Sequence, residues 1–323
     1  ASASARAEVI YVNAFAFNDL QDGTSWETAF ENLQDGLAAA TPGSGDQLWV
    51  AAGSYKPAGA GGDRAISFNL VSGTAIYGGF NGTETKLEQR DPAANITILS
   101  GDLNGNDVPG SDAVHPSHTE NSYHVVRAAN TAVGTIIDGV TITAGYSNVV
   151  SPDTRGAGAL LESAVVEIVN CTVTTNACRS GGCGVAVWSG GSVSITDSRI
   201  VHNRPHTSGQ QDGMGLYAFQ TKIAMTNCEV SHNVSTSAVL SQGAGMVLWG
   251  SNVNIRECLF EDNHGYQGGA LQISAPGTTG IISKCRFIGN TATSAGGGLI
   301  TFISVPVVDC QFIGNHAQFN GGG

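Results

Sequence analysis

Charge is scarce in this chain. Only 12% of its 323 residues are Asp, Glu, Lys or Arg, and 14 basic residues against 26 acidic ones leave a formal net charge of −12. The few Lys and Arg form no cluster, which argues against a nucleic-acid partner or an anionic membrane surface. No run of 18 apolar residues occurs, so no transmembrane segment is expected. The repeated close cysteine pairs of a four-cysteine zinc site are missing. So is a group of stacked carboxylates or bases such as a lyase or glycoside hydrolase needs. Asp197, Glu229, Glu257, Lys284 and Asp309 are mixed in sign and spread along the chain, and read as a solvated face. The chain also lacks an initial Met and opens on "ASASARA", a small-residue start like that left by signal-peptide removal, so export is expected.

What is plentiful is glycine, 44 residues, alongside 41% apolar residues. That balance suits a β-rich body with many turns and a sizeable core. The segments "KCRFIGN" (284–290) and "DCQFIGN" (309–315) write nearly the same seven residues twice. Upstream stand "ECLFEDN", "NCEVSHN", "DSRIVHN" and "NCTVTTN", with "DGVTITAG" as a worn copy. The asparagines at 176, 203, 233, 263, 290 and 315 recur at steps of 27, 30, 30, 27 and 25. Each unit opens with a glycine cluster and an apolar run, such as "GMGLYAF" (213–219) or "GAGMVLW" (243–249). A second alternating run follows, and the Cys-containing run is the third.

Three strand-like runs in 25–30 residues cannot pair within one unit. They can pair with the same run of the next unit. The expected fold is therefore all-β: a right-handed parallel β-helix, a three-sheet solenoid of nine or ten turns at roughly 4.8 Å per turn. Like positions then stack. Cys171, Cys228, Cys258, Cys285 and Cys310 are expected as an inward ladder of free thiols, because parallel neighbours about 4.8 Å apart suit no disulfide. Asn176, Asn203, Asn233, Asn263, Asn290 and Asn315 are expected as a ladder at the turn after the third strand. Cys178 and Cys183 flank "RSGG" and are the candidate disulfide of an exported chain.

The whole of residues 1–323 reads as one domain. Residues 1–45 are expected to form a strand ("EVIYVN") and a cap, 46–135 irregular first turns with loops, and 136–323 regular repeats, which are expected to continue past 323. The cap is expected to be an amphipathic helix over "TSWETAFENLQDGLAAATPG", with Thr24 and Glu27 as a capping box and Trp26, Phe30, Leu33 and Leu37 on its apolar face. The end of a solenoid exposes core and unpaired edges that such a helix covers.

"GGAL" (268–271), "FEDN" (260–263) and the two "FIGN" segments resemble the repeat of the polymorphic outer-membrane proteins. The front half, with "DGTSWETAFENLQDGLAAA", "LWVAAGSYKP", "AIYGGFNGTET" and "RDPAANITILSGD", looks like the secreted right-handed β-helix proteins of environmental bacteria. The resemblance implies a bacterial secreted or cell-surface protein, often adhesive.

Three sets of residues are candidates for chemistry. Trp188, Phe219, Trp249 and Phe302 recur at one position of the first strand, interrupted by Ser274, and alternation places them outward with Tyr217, Val247 and Ile300. Such a stripe would stack on sugar rings or pack against another copy. Asp102, Asn104 and Asn106, followed by Asp107 and Asp112, offer the alternating oxygens of a structural Ca²⁺ loop, without the glycine and glutamate of an EF-hand. His202 and His232 precede their ladder asparagines and should stack, with Asp262 next, but two imidazoles are too few for a metal site. The leading expectation is a non-enzymatic structural or adhesive protein that associates with itself, as a homo-oligomer or fibre, or with a carbohydrate surface. The alternative is a polysaccharide lyase or glycoside hydrolase. No cofactor beyond the candidate Ca²⁺ is implied.

Overall fold

The structure, a computed structural model, describes residues 7–322 except 18, 112, 150–153, 207–210 and 237–241. Its strands stack into sheets of ten, nine and eight members, with two three-stranded sheets at one corner, and every strand pair is parallel. The chain is an all-β parallel β-helix of about eight turns, slightly fewer than the nine or ten expected. One turn shows the construction. Val185–Trp188 joins the eight-stranded sheet, Ser192–Thr196 the ten-stranded one and Arg199–Val201 the nine-stranded one. The next turn repeats this in register, with Val185 opposite Leu216, Ser192 opposite Lys222 and Arg199 opposite Glu229.

The corners explain why short polar residues punctuate the repeat. Asp197, Asn227, Glu257, Lys284 and Asp309 all adopt positive φ, between 50° and 57°. So do His202, His232 and Asp262 at the following corner, at 57°, 55° and 48°. A single left-handed residue swings the chain from one sheet to the next, and Asn, Asp and His tolerate it better than most. The histidine pair therefore marks a bend.

Inside, like side chains sit on like. Ile200, Val230, Phe260 and Phe287 form one buried column. The Phe260 and Phe287 rings stack at 4.8 Å, and Phe287 and Phe312 at 4.7 Å, the spacing of the strands that carry them. In the last turn described, Val308, Phe312 and Ile313 are exposed.

The cap is a helix, but a shorter one than the pattern suggested. It spans Leu33–Ala39, with Leu33 and Leu37 buried against the end of the core. Thr24 and Glu27 form no capping box. Asp22 instead accepts from the backbone N–H and the hydroxyl of Thr24, at 3.0 and 2.8 Å, and from the Thr28 hydroxyl at 2.7 Å. Phe30 then extends a sheet edge: its N–H donates to the Tyr11 carbonyl, and its own carbonyl accepts from Asn13. Pairing with an open strand edge outweighed the helical spacing of Trp26 and Phe30. Trp26 packs outside the sheet, edge-on to Tyr11.

Candidate functional site

Most polar side chains of the regular turns are occupied with one another. Each ladder asparagine accepts from the one before it: Asn176 N–H to Asn203 Oδ1 at 3.1 Å, then Asn203 to Asn233, Asn233 to Asn263, Asn263 to Asn290 and Asn290 to Asn315 at 3.0–3.1 Å. The ladder's first contact goes to the worn copy, where Gly145 N–H donates to Asn176 Oδ1 at 2.9 Å. The thiols of Cys171, Cys228, Cys258, Cys285 and Cys310 are free, and Ser198 takes the missing rung, its Oγ accepting from Cys171 N–H at 3.1 Å. The ladder thiols donate to backbone carbonyls, Cys258 to Arg256 at 3.2 Å and Cys285 to Ser283 at 3.3 Å, and their proximity to one another pushes Cys258 up and draws Cys285 down. Outside, Arg199 grips both Glu229 oxygens at 2.7 and 3.3 Å, Asn227 donates to Asp197 at 2.6 Å and Lys284 lies 3.6 Å from Glu257. These charges are largely engaged with neighbours, and Asp197 and Arg199 also border an open cleft of about 720 Å³ with Glu88, Arg90 and Asp91.

The aromatic row differs from its expected form. Tyr217 is 6% exposed and Val247 fully buried. Two features cover this outward face. The glycine turns fold back on it, so that a Cβ on Gly243 would meet Val247. The Arg155 guanidinium also lies 4.8 Å from the Trp188 ring and 5.3 Å from the Tyr217 ring. Trp188 and Phe219 stack on each other at 4.4 Å, Trp249 is 37% exposed and Phe302 lies exposed near the end. Rings stacked along the rod occupy one another's faces, so Trp188 and Phe219 offer no open platform for a sugar. Cys178 and Cys183 are joined in a disulfide, packed with Ala157 and Met214 in a small buried cluster. The His202 and His232 rings lie 4.9 Å apart, with His232 Nε2 3.9 Å from Asp262. Among the described residues, no three His, Cys, Asp or Glu are arranged to hold a metal ion.

One feature does gather chemistry from distant turns. The loop from Asp102 to Asn121 folds along the outer side of the early turns and leaves a cleft of about 330 Å³. Its lining includes Asp102, Asp107, His118, Asn121, Tyr146 and Arg204, beside the hydroxyls of Ser54, Ser100, Thr143 and Thr175. Thr143 and Thr175, on adjacent turns, are bonded through their hydroxyls at 2.9 Å.

Asp102 builds the loop. Its Oδ1 accepts from the N–H groups of Gly105 and Asn106 at 2.7 and 3.1 Å, and its Oδ2 from Asp107 N–H at 3.2 Å. Asn104 accepts from Gly61 N–H, and the Asn106 amide, oriented to meet its acceptors, donates to Glu120 Oε1 at 2.7 Å. Asp102, Asn104 and Asn106 are thus engaged within the loop and with Glu120. Asp112 lies outside the described residues. Asp107 accepts from Asn121 Nδ2 at 2.9 Å through Oδ2, while its buried Oδ1 has no hydrogen-bond partner and stands 3.7 Å from His118 Nε2. Below the cleft, Arg64 donates to the carbonyls of Asn121 and Tyr146 at 2.6 and 2.9 Å, and Arg204 reaches the Ser111 carbonyl.

Burial raises the Asp107 carboxyl above its ordinary range. Burial and then the charge of Asp102 push Glu120 up to about 7. This predicts a pH signature. A carboxyl protonated more readily when folded contributes stability in acid that is lost as pH rises through its folded value. Glu120→Gln, which keeps one donor and one acceptor, is expected to raise the melting temperature relative to the parent at pH 8 but not at pH 5. Equal melting shifts at both pH values would show that Glu120 is not held neutral.

The sequence flagged this loop only as a candidate Ca²⁺ loop. Glu120, His118, Asn121, Tyr146 and Arg204 were missed as site residues. Arg64 and Tyr146 are 82 residues apart, and Ser111 and Arg204 are 93 apart, so only the turn-by-turn register brings them together.

A family model described as a right handed beta helix region matches residues 119–323. A 182-residue stretch is 26% identical to metabotropic glutamate receptor-like protein P of Dictyostelium discoideum, covering 49% of this chain and 12% of that protein. The chain thus spans a small part of that relative. Among solved structures, pectate lyase Pel9A superposes with a TM-score of 0.52 at 14% identity, over 97% of this chain and 78% of that one. A rhamnogalacturonan lyase gives 0.48 at 10% identity, over 94% of this chain and 87% of that one. At such identities the likeness is one of fold.

Proposed function

Since the chain belongs to the right-handed β-helix family, whose stacked interior leaves chemistry to the loops and outer faces, we propose that it is an exported protein that holds a carbohydrate chain in the cleft beside residues 102–121. The observation that carries this reading is the lining itself: carboxylates, a carboxamide and a row of hydroxyls from separate turns converge beside Tyr146 in about 330 Å³. Polar groups that fix orientation in a concave site suit a polyhydroxylated ligand. Export is supported by the Cys178–Cys183 disulfide, a bond favoured outside the reducing cytosol. The bacterial surface origin implied by the repeat resemblance belongs to the same proposal.

Binding is favoured over elimination. A lyase base is an unengaged Lys or Arg, whereas no lysine lines the cleft and Arg204 donates to a carbonyl. One observation favours hydrolysis as a second reading: Asp107 lines the cleft, and burial raises its carboxyl, as a general acid requires.

Affinity electrophoresis through gels containing soluble polysaccharides tests the proposal. At least one neutral or charged polysaccharide should retard the chain, and Thr143→Trp, which fills the cleft from an outward strand position, should abolish the retardation while leaving the melting temperature within a few degrees. Retardation by none, or retardation unchanged in Thr143→Trp, would refute it. New reducing ends that vanish in Asp107→Asn would turn the reading to hydrolysis.

A further inference from the structure

We infer, on the premise that the cleft holds a glycan, that it selects sugars bearing a protonated amino group and rejects uronates. The reason is an imbalance of donors and acceptors. Asp107 Oδ1 is buried without a hydrogen-bond partner, and so is the Oδ1 of Asn121, a residue only 1% exposed. Both residues line the cleft. The buried Oε2 of Glu120, behind them, also lacks a partner.

The protein's own donors nearby are directed elsewhere. The Asn121 amide donates to Asp107 Oδ2 and to the Ala144 carbonyl, each at 2.9 Å. Arg64 reaches the carbonyls of Asn121 and Tyr146, Arg204 that of Ser111, and Lys56 that of Leu103 at 3.2 Å. His118 Nε2 faces the Ser111 hydroxyl at 3.2 Å and stays 3.7 Å from Asp107 Oδ1.

An incoming group must therefore bring donors. An ammonium brings three and no acceptor, a hydroxyl one donor with two acceptor sites, and an ionised carboxylate acceptors alone. A uronate would meet Asp107 with only the His118 imidazole beside it at 3.7 Å, and with Arg204 already bonded to the Ser111 carbonyl, inside a chain of net charge −12. The raised Asp107 carboxyl fits this picture, since burial disfavours the anion more than Asn121 and His118 favour it, and a bound ammonium would relieve it.

The test is calorimetric titration of the full chain with hexamers of glucosamine, N-acetylglucosamine, glucose and galacturonate. It is run at about pH 6, where an amine flanked by electron-withdrawing groups is protonated, as an α-amino group is. The glucosamine hexamer should bind at least about tenfold tighter than either neutral hexamer, and the galacturonate hexamer weakest. Asp107→Asn, in which Asn121 can still donate to the new carboxamide oxygen, should bring glucosamine and neutral hexamers within about twofold of each other. Glu27→Gln removes one exposed carboxylate outside the cleft and should leave the preference intact, which separates the site from the chain's overall charge. Raising salt should erode the preference while neutral binding holds, a readout that needs no variant. If galacturonate binds tightest, or if Asp107→Asn and Glu27→Gln lower the preference equally, the inference falls and the carbohydrate reading stands. If no hexamer binds, the carbohydrate reading falls and takes the inference with it.

Discussion

Asn233→Ala is expected to cost about 3–5 kcal/mol, enough to remove much of the stability of an ordinary domain. The Asn233 Oδ1 accepts from both the N–H and the amide of Asn203, at 3.0 and 3.1 Å. Its amide donates to the carbonyls of Ile200 and Ser231 at 2.9 and 3.1 Å and to Asn263 Oδ1 at 3.0 Å. Alanine loses all five of these bonds and leaves the Asn203 N–H buried without an acceptor, a penalty of roughly 1–3 kcal/mol by itself. The damage sits between two turns. In a solenoid, stability is close to a sum of nearest-neighbour terms, so urea unfolding should split into two transitions, one for the turns on each side. Asn254→Ala, on the outer face of a strand, should cost less than about 1 kcal/mol. A loss below 1 kcal/mol for Asn233→Ala would mean that the ladder contributes little.

Gly215→Ala is expected to cost about 3 kcal/mol, although it adds a single methyl group. The new Cβ would lie against the Gly245 carbonyl and 2.9 Å from Asn233 Nδ2. Gly184 stands in the same relation to the Gly215 carbonyl and to Asn203 Nδ2. The carbonyl belongs to a hydrogen-bonded rung and cannot move without breaking it. This glycine is required for space, because the ladder amide fills the place a side chain would take. Gly215→Ala combined with Asn233→Ala should therefore fall short of additivity by about 1 kcal/mol, measured by urea denaturation. Full additivity would show that the glycine and the asparagine act separately.

That coupling explains why the repeat was so legible. Glycine pair, thiol and asparagine recur at one-turn spacing because each touches its own copy on the next turn. A contact between like positions leaves a periodic trace in the chain. The cap was legible in part: Leu33 and Leu37 bury as the helical spacing suggested, but Phe30 found a strand edge at Tyr11 and Asn13 that no local pattern announces. Tyr217 points outward as alternation requires, yet Arg155 covers it. Parity gives a direction, and only the fold says what lies there.

The sequence by itself determined the β-helix, its strand order within a turn and the residues that stack through its interior, because those contacts repeat at a fixed interval along the chain. Only the tertiary structure decided which outward side chains are covered and which meet in the cleft. Asp107, Asn121, Tyr146 and Arg204 come from a loop and two different turns, and their contacts occur once. A meeting that happens once leaves no period to read, and it depends on how far the loop reaches across turns whose register is set elsewhere.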